Sequence, residues 1–453
     1  MTDTNPPATE SVSPDAPAKS PAESRRAGRA AFVGTLLEYY DFSLYASAAT
    51  VVFASVFFSG SSAFLGTLQA VGTFAVGFLV RPLGGVILGS LGDRVGRKKI
   101  LVLTLVLMGA ATMLVGLLPS YAQIGWLAPA LLVFLRILQG IGASAEYGGA
   151  TLVAVEFSAE RKRGLLGSLP GMGAALGGVL GTGALLLVST ALPKDAFLDW
   201  GWRIPFLLSG FILAYGLWLR RSLPETPEFR RIEDADDTAS TPVRDVIRQQ
   251  PRALVAVLGM TIGQTGIGYF YLVFMGTFGA NQLELNKTQI LIGLIAAQLA
   301  NAVLIPMFGG LSDRVGRRPV IMFGFVYSAV FAWIAFWVLS NHGTPTAFWV
   351  VLALGNGIGV AAIFGPMGAY VTELFDSKHA YSGLGLGREG GNAIGAAVVP
   401  VVAVPLAFHD TTIWLSLLLC GIALLGLVAA ALSRTRSEST TAASSRNEVP
   451  VPA

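Results

Sequence analysis

The amino-acid sequence predicts an all-α membrane protein in which twelve transmembrane helices form two six-helix bundles. Three observations predict it: a composition poor in charge, a regular series of long apolar segments, and an internal duplication. Of the 453 residues, 53% are hydrophobic and only 13% are charged. Soluble proteins carry roughly 25% charged residues because their surfaces face water. Most of this protein's surface is therefore expected to face lipid.

Twelve apolar segments are each long enough to cross a ~30 Å hydrocarbon core, which takes about 20 helical residues. The predicted spans are 30–57, 63–90, 100–119, 126–155, 164–190, 202–220, 252–279, 288–311, 319–340, 346–374, 380–407 and 411–432. One long polar segment divides them into two groups of six. We therefore predict an N-terminal bundle over 29–220, a linker over 221–251 and a C-terminal bundle over 252–432.

Lysine and arginine lie mostly on one side of these spans. That side carries 25 of the 31 basic residues, whereas the opposite loops carry only Lys194 and Lys287. Because basic loops stay in the cytoplasm, both chain ends are expected there, with the protein in the inner (plasma) membrane.

Residues 1–28 are rich in Pro, Ala, Ser and Thr, which predicts a disordered cytoplasmic tail. A second polar tail covers residues 433–453.

Several function classes find no support in the sequence. Cys420 is the only cysteine, which excludes an intrachain disulfide and a cysteine-based metal site. The basic residues occupy loops rather than a polar domain, so no nucleic acid is expected as a partner. No nucleophile–base pair, metal cluster or phosphate loop indicates an enzyme. We expect no cofactor and no metal, and a monomer in the lipid bilayer.

The internal duplication joins the second and third span of each half. Residues 89–100 read GSLGDRVGRKKI, and residues 309–320 read GGLSDRVGRRPV. An Asp at a helix end followed by Arg one turn later can pair with neighbouring helix ends. The two copies therefore predict a latch that joins the bundles on the cytoplasmic side, and the alternative is that they only set topology. The candidate gate residues are Asp93, Arg94, Arg97, Asp313, Arg314, Arg317 and Glu373.

These motifs carry a family resemblance. The duplicated loop is similar to the signature loop of the major facilitator superfamily. Residues 136–143, RILQGIGA, and residues 224–229, PETPEF, resemble two further stretches of that superfamily. More specific matches resemble its metabolite:H⁺ symporter family; they are LLEYYDFSLYA at 36–46, RPLGG at 81–85, EYGGA at 146–150, GWRIPFLL at 201–208 and YSGLGLG at 381–387. The resemblance implies secondary active uptake, coupled to protons, of carboxylates or of zwitterionic osmolytes.

Ionisable residues inside the predicted spans are the candidate proton carriers, because a charge in the bilayer is costly unless it is paired or faces a wet cavity. Glu38 and Asp41 share a face of the first span. Glu146 and Arg81 are expected at a depth similar to that of Glu38, with Asp41 one turn deeper and Arg136 about 15 Å further out than Glu146. These groups are therefore expected to meet in one central cavity. We predict that Asp41, Glu38 and Glu146 couple transport to protons. The alternative is a set of static buried ion pairs.

Guanidinium groups in the spans indicate an anionic solute, since they bind carboxylates through two hydrogen bonds. The candidate substrate-binding residues are Arg136, Arg81, Arg388, Asn392, Tyr39 and Gln264. For Arg388, a charge pair with Glu389 and Glu373 is an equal alternative.

The predicted function is proton-coupled uptake of a small organic carboxylate by alternating access. The first alternative is proton-coupled uptake of a zwitterionic osmolyte such as proline or betaine. Its cationic group would need aromatic walls, for which Tyr39, Tyr40 and Trp202 are candidates. A non-transporting receptor is a remote alternative.

Overall fold

The computed structural model describes residues 21–85, 87, 88, 97–144, 155, 158, 160–221, 242–375, 380–407 and 412–433. Within these residues the chain folds into twelve long helices. They are α1 (Pro21–Ala48, continuing through Ala49–Phe53 and Ala54–Phe57), α2 (Phe64–Gly85), α3 (Arg97–Val115), α4 (Leu127–Ala143), α5 (Arg163–Ala191), α6 (Arg203–Arg221), α7 (Pro251–Asn281), α8 (Lys287–Val315), α9 (Arg317–Asn341), α10 (Pro345–Leu374), α11 (Ala380–Ala407) and α12 (Ile413–Leu432).

Each helix falls on one of the predicted spans. In the described part of the chain, nine helices are long and apolar enough to cross a membrane, and α3 and α4 contribute shorter apolar stretches. Helix α1 begins at Pro21, so residues 21–28 are helical although the sequence assigned them to a tail. A short helix, Pro242–Gln249, lies in the segment predicted as a linker. Large apolar side chains such as Phe211, Trp337 and Leu432 point outward, as expected of helices surrounded by lipid.

The two halves repeat the same packing. Helix α1 lies along α5 as α7 lies along α11, and α3 packs on α6 as α9 packs on α12. The glycines of α5 explain one of these pairs: Gly177 and Gly181 meet backbone oxygens of α1 and leave no room for a Cβ atom. Small residues let helix backbones approach closely where lipid supplies no hydrophobic drive. A π-helical turn also interrupts α1 (Ala49–Phe53) and α7 (Phe270–Phe274) at corresponding places.

The bundles meet through α2 against α11 and α5 against α8. We call the face where α1 begins and α12 ends the terminal face. Near it, a Cβ atom on Gly309 would lie 2.7 Å from the carbonyl oxygen of Gly164. Near the opposite face, a Cβ atom on Gly276 of α7 would lie 2.5 Å from the methyl carbon of Thr50 of α1. The bundles therefore touch near both faces.

Candidate functional site

A buried ion network crosses from one bundle to the other. Arg81 of α2 donates to Glu38 of α1, with 2.6 Å between Nη2 and Oε1. The Nη1 atom of Arg81 lies 3.7 Å from Oε2 of Glu389 on α11. Glu38 and Arg81 are 1% and 2% exposed, so the charges depend on one another rather than on water. Glu38 and Arg81 thus meet as predicted, whereas Asp41 and Arg136, predicted to share their cavity, form a separate cluster.

The α11 side of this network contains the two polar residues predicted there. Arg388 and Asn392 both point their side-chain nitrogens at Oε1 of Glu389, at 3.4 and 3.5 Å. Arg388 also lies within hydrogen-bonding reach of the Tyr39 hydroxyl on α1. The charge pair between Arg388 and Glu389 is therefore present, but Glu373 belongs to a different cluster, described below. Glu389 was not among the predicted site residues.

Asp41 and Arg136 form a second buried cluster inside the first bundle. The Asp41 carboxylate accepts a hydrogen bond from Ser209 of α6 at 3.0 Å and lies within reach of Thr112 of α3. Gln139 connects the cluster: its Nε2 donates to Thr112 at 2.7 Å, and its Oε1 accepts from Arg136. Asp41 is thus linked to Arg136 through neutral side chains.

An aromatic wall separates the two clusters. The guanidinium carbons of Arg81 and Arg136 lie 4.6 and 5.2 Å from the centre of the Phe42 ring, and both also face Phe78. Tyr269 of α7 closes the wall from the second bundle, with 4.9 Å between its ring centre and that of Phe78. Cation–π contacts partly replace the water that the arginines have lost.

A narrow cleft lies beside this wall, between the bundles. Its lining residues come from α1, α5, α7 and α8, namely Phe42, Ser43, Ala46, Ser47, Thr182, Tyr269, Leu272, Leu294 and Gln298. Ser47 and Thr182 share a hydrogen bond of 2.9 Å at its edge. The cleft combines aromatic faces with hydroxyl and amide groups.

Two aromatic residues considered for a zwitterion site lie elsewhere. The Tyr40 hydroxyl donates to the carbonyl oxygen of Pro205 at 3.0 Å. Trp202 is fully buried and packs edge-on against Phe53 and Phe57. Both therefore hold the first bundle together, and the prediction that they could line a solute site was wrong. Sequence position alone could not reveal which face of each helix turns inward.

Near the terminal face, the second repeat contacts the first bundle. The Asp313 carboxylate accepts hydrogen bonds from the backbone N–H groups of Gly164 and Leu165, at 2.7 and 2.9 Å. It thereby caps the start of α5, where backbone donors lack helical partners. Arg317 forms an ion pair with Glu373 and lies 3.6 Å from Asp313. The bond from Asp313 joins the two bundles directly.

The remaining predicted residues have mixed outcomes. Arg314 is exposed, and Gln264 is buried in α7. Asp93, Arg94 and Glu146 lie outside the described residues, as does the side chain of Arg97. Ser209, Thr112 and Gln139 were not among the predicted site residues. Of these, only Gln139 could have been selected from the sequence, since it belongs to the RILQGIGA motif.

Comparisons with known proteins agree with this architecture. The family model described as "Sugar (and other) transporter" matches residues 29–253, and the "Major Facilitator Superfamily" model matches residues 280–452. An inner membrane metabolite transport protein of Escherichia coli is 37% identical over 90% of this chain and 94% of its own length. This chain belongs to the major facilitator superfamily. As a member, it is a multi-pass membrane transporter with twelve helices in two bundles, and not an enzyme.

Other relatives of this major facilitator protein are also transporters. The shikimate transporter of Escherichia coli is 36% identical over 89% of this chain and 92% of its own length. A proline/betaine transporter of the same species is 35% identical over 80% of this chain and 73% of its own length. A partially occluded, inward-open structure of the Escherichia coli xylose transporter matches 90% of this chain and 97% of its own, with a TM-score of 0.67 and 18% identity. That structural match confirms the fold.

Proposed function

We propose that this protein imports a small organic carboxylate together with protons by alternating access. The observation that carries the proposal is the buried network of Glu38, Arg81 and Glu389, which joins the two bundles beside the narrow cleft. An arginine held between two carboxylates can exchange one of them for a carboxylate of the solute. The similarity to metabolite and shikimate transporters supports a solute of this class.

Proton coupling follows from the same network. Protonation of Glu38 would neutralise the carboxylate that binds Arg81 at 2.6 Å. The guanidinium would then be available to an incoming anion, so that proton and solute enter together. Asp41 offers a second carrier, because its link through Thr112 and Gln139 connects its charge to Arg136, which also faces the aromatic wall. Solute binding and protonation would thus assist each other.

Alternating access requires that two contacts between the bundles, one near each face, open in turn. The bond from Asp313 to α5 would open when the terminal face opens, and the contact of Gly276 with Thr50 would open on the opposite side. We place the protein in the inner membrane, with the terminal face in the cytoplasm, as a monomer. The basic loops support this orientation.

A zwitterionic osmolyte is the second candidate. One relative of comparable identity is a proline/betaine transporter. Phe42 and Tyr269 line the cleft, and aromatic faces attract quaternary ammonium groups. An arginine would still bind the carboxylate of such a solute.

Uptake into proteoliposomes tests the proposal. Labelled carboxylates and betaines are offered with and without an inward proton gradient. We expect carboxylates to accumulate above their outside concentration only with the gradient, and proton influx to accompany them. Carboxylate uptake that ignores the gradient would reduce the protein to a facilitator, and accumulation of betaines alone would favour the second candidate.

A further inference from the structure

A lysine of the second bundle lies over an aromatic ring of the first at the face opposite the terminal face. Lys287 is the first residue of α8, and its Nζ atom lies 5.1 Å from the centre of the Phe197 ring. Phe197 belongs to the connection between α5 and α6, and its side chain is buried. Because α5 and α8 pack together between the bundles, this contact lies at one end of their interface.

The other lysine of this face lies next to the first. Lys194 begins a short helix, Lys194–Ala196, one turn before Phe197. It is close enough for its charge to repel that of Lys287. These two residues are the only Lys or Arg in the loops that the sequence assigns to this face. The fold therefore brings together, from different bundles, the two basic residues that this face has.

Neither lysine is neutralised by a contacting carboxylate within the described part of the chain. Asp195 and Asp199 belong to the same connection as Lys194, and both are exposed. Glu284 precedes Lys287 by three residues and is also exposed. None of the three forms an ion pair with either lysine among the residues that the structure describes. Two like charges repel unless an anion lies between them, so this pair of ammonium groups favours an anionic ligand.

Lys287 lies on the face of α8 that lines the narrow cleft. Leu294 and Gln298, two of the lining residues, follow it by 7 and 11 residues. These intervals place side chains on one face of a helix. At ~1.5 Å per residue, Lys287 is about 10 Å from Leu294 along α8, toward the opposite face. A solute that entered between α5 and α8 from this face would meet Lys287 before it reached the cleft.

We propose that Lys194 and Lys287 form an entry site that attracts the carboxylate of the solute at the face opposite the terminal face. An ammonium group is a compact point charge with three N–H donors, so it can hold a carboxylate in many orientations and release it again. Charge of one sign at the mouth of a cleft raises the rate of encounter with an anion. This inference rests on the proposed function and states how the imported anion is captured.

Initial rates of uptake into proteoliposomes test the entry site. The probe is whichever of labelled succinate, 2-oxoglutarate and shikimate the natural protein accumulates with an inward proton gradient. We expect the double variant Lys194→Gln with Lys287→Gln to raise the KM about threefold or more at low ionic strength, and to leave the maximum rate within about twofold. Because salt screens exposed charges, this difference should disappear at ~0.5 M salt. Lys287→Arg keeps the charge and should retain the natural KM.

Two further variants separate attraction from simple closure of this face. Phe197→Leu removes the ring beneath Lys287 but keeps both charges, so the natural salt dependence of the KM should remain. Arg248→Gln, which removes an exposed basic residue beside the start of α7 at the terminal face, should leave the KM unchanged.

Three results would overturn the entry site while carboxylate transport stands. They are a KM that the double variant leaves unchanged, a rise in KM that salt does not abolish, and a loss of salt dependence in Phe197→Leu equal to that in the double variant. Accumulation of no carboxylate by the natural protein would overturn the proposed function, and the entry site with it.

Discussion

At the scale of single residues, the buried charges divide into one network that crosses the bundles and one that stays within the first. Arg81 belongs to the crossing network through Glu38 and Glu389, whereas Asp41 is held by Ser209. Burying an ion pair rarely adds stability, although removing one partner is costly. Such groups are therefore better explained by transport than by folding.

The Asp41→Asn substitution tests the role of the second cluster. It removes the ionisable group but retains an oxygen that can accept from Ser209. We expect solute exchange across the membrane without a gradient to remain within about twofold of the natural protein, and gradient-driven accumulation to fall more than tenfold, because the proton carrier is lost. Both are measured in proteoliposomes. Normal accumulation would remove Asp41 from the proton path.

At the scale of elements, glycine determines how α5 packs on α1. Cβ atoms at Gly177 and Gly181 would overlap backbone oxygens of α1. Backbone cannot move aside as a flexible side chain can, so these positions tolerate no larger residue. Gly183 of the same helix has open space where its Cβ atom would lie.

The pair Gly177→Val and Gly183→Val tests this packing. We expect Gly177→Val to destabilise the protein by several kcal/mol through overpacking, seen as a lower melting temperature and poor yield in detergent. Gly183→Val should change the melting temperature little, because nothing lies near its side chain. Equal loss in both variants would show that valine disturbs α5 for a general reason rather than at the α1 contact.

The capping of α5 by Asp313 is the second element-scale feature. Asp313→Ala removes the acceptor for two backbone N–H groups, which costs about 1 kcal/mol or about a fivefold shift in population. We expect the terminal face to open more often, seen as faster labelling of a cysteine placed between α5 and α8. Arg314→Gln, at an exposed neighbour, is the control. Unchanged labelling in Asp313→Ala would contradict a latch at this position.

At the scale of the whole molecule, the bundles touch at two closures, one near each face. One is formed by α5 and α8 near the terminal face, and the other by α1 and α7 near the opposite face. Rocking of two rigid bundles around a central site would open them alternately.

Substitution of Gly276 by Trp tests the rocking. The indole would occupy the space that Thr50 fills, so the face opposite the terminal face could no longer close. We expect transport to fall more than tenfold while solute binding from that side persists, measured by uptake and by equilibrium binding. Gly421→Trp, on α12 where nothing lies near a Cβ atom, should retain transport. Full transport by Gly276→Trp would exclude closure by α1 and α7.

The sequence by itself determined the membrane class, the two sets of six spans and the family. These follow from composition, from segment length and from repeated motifs, all of which are local properties of the chain. It also selected Glu38, Arg81, Asp41 and Arg136, because an ionisable residue in an apolar segment is conspicuous wherever the segment packs.

Only the tertiary structure decided which of these residues are neighbours. Glu389 was missed as a partner of Arg81 because the two lie on α2 and α11, in different bundles. Tyr40 and Trp202 were misread because the inward face of a helix depends on the helices beside it. The hydrogen bond from Ser209 to Asp41 could not be seen at all, since hydrogen-bond satisfaction is a property of the packed interior and not of the amino-acid sequence.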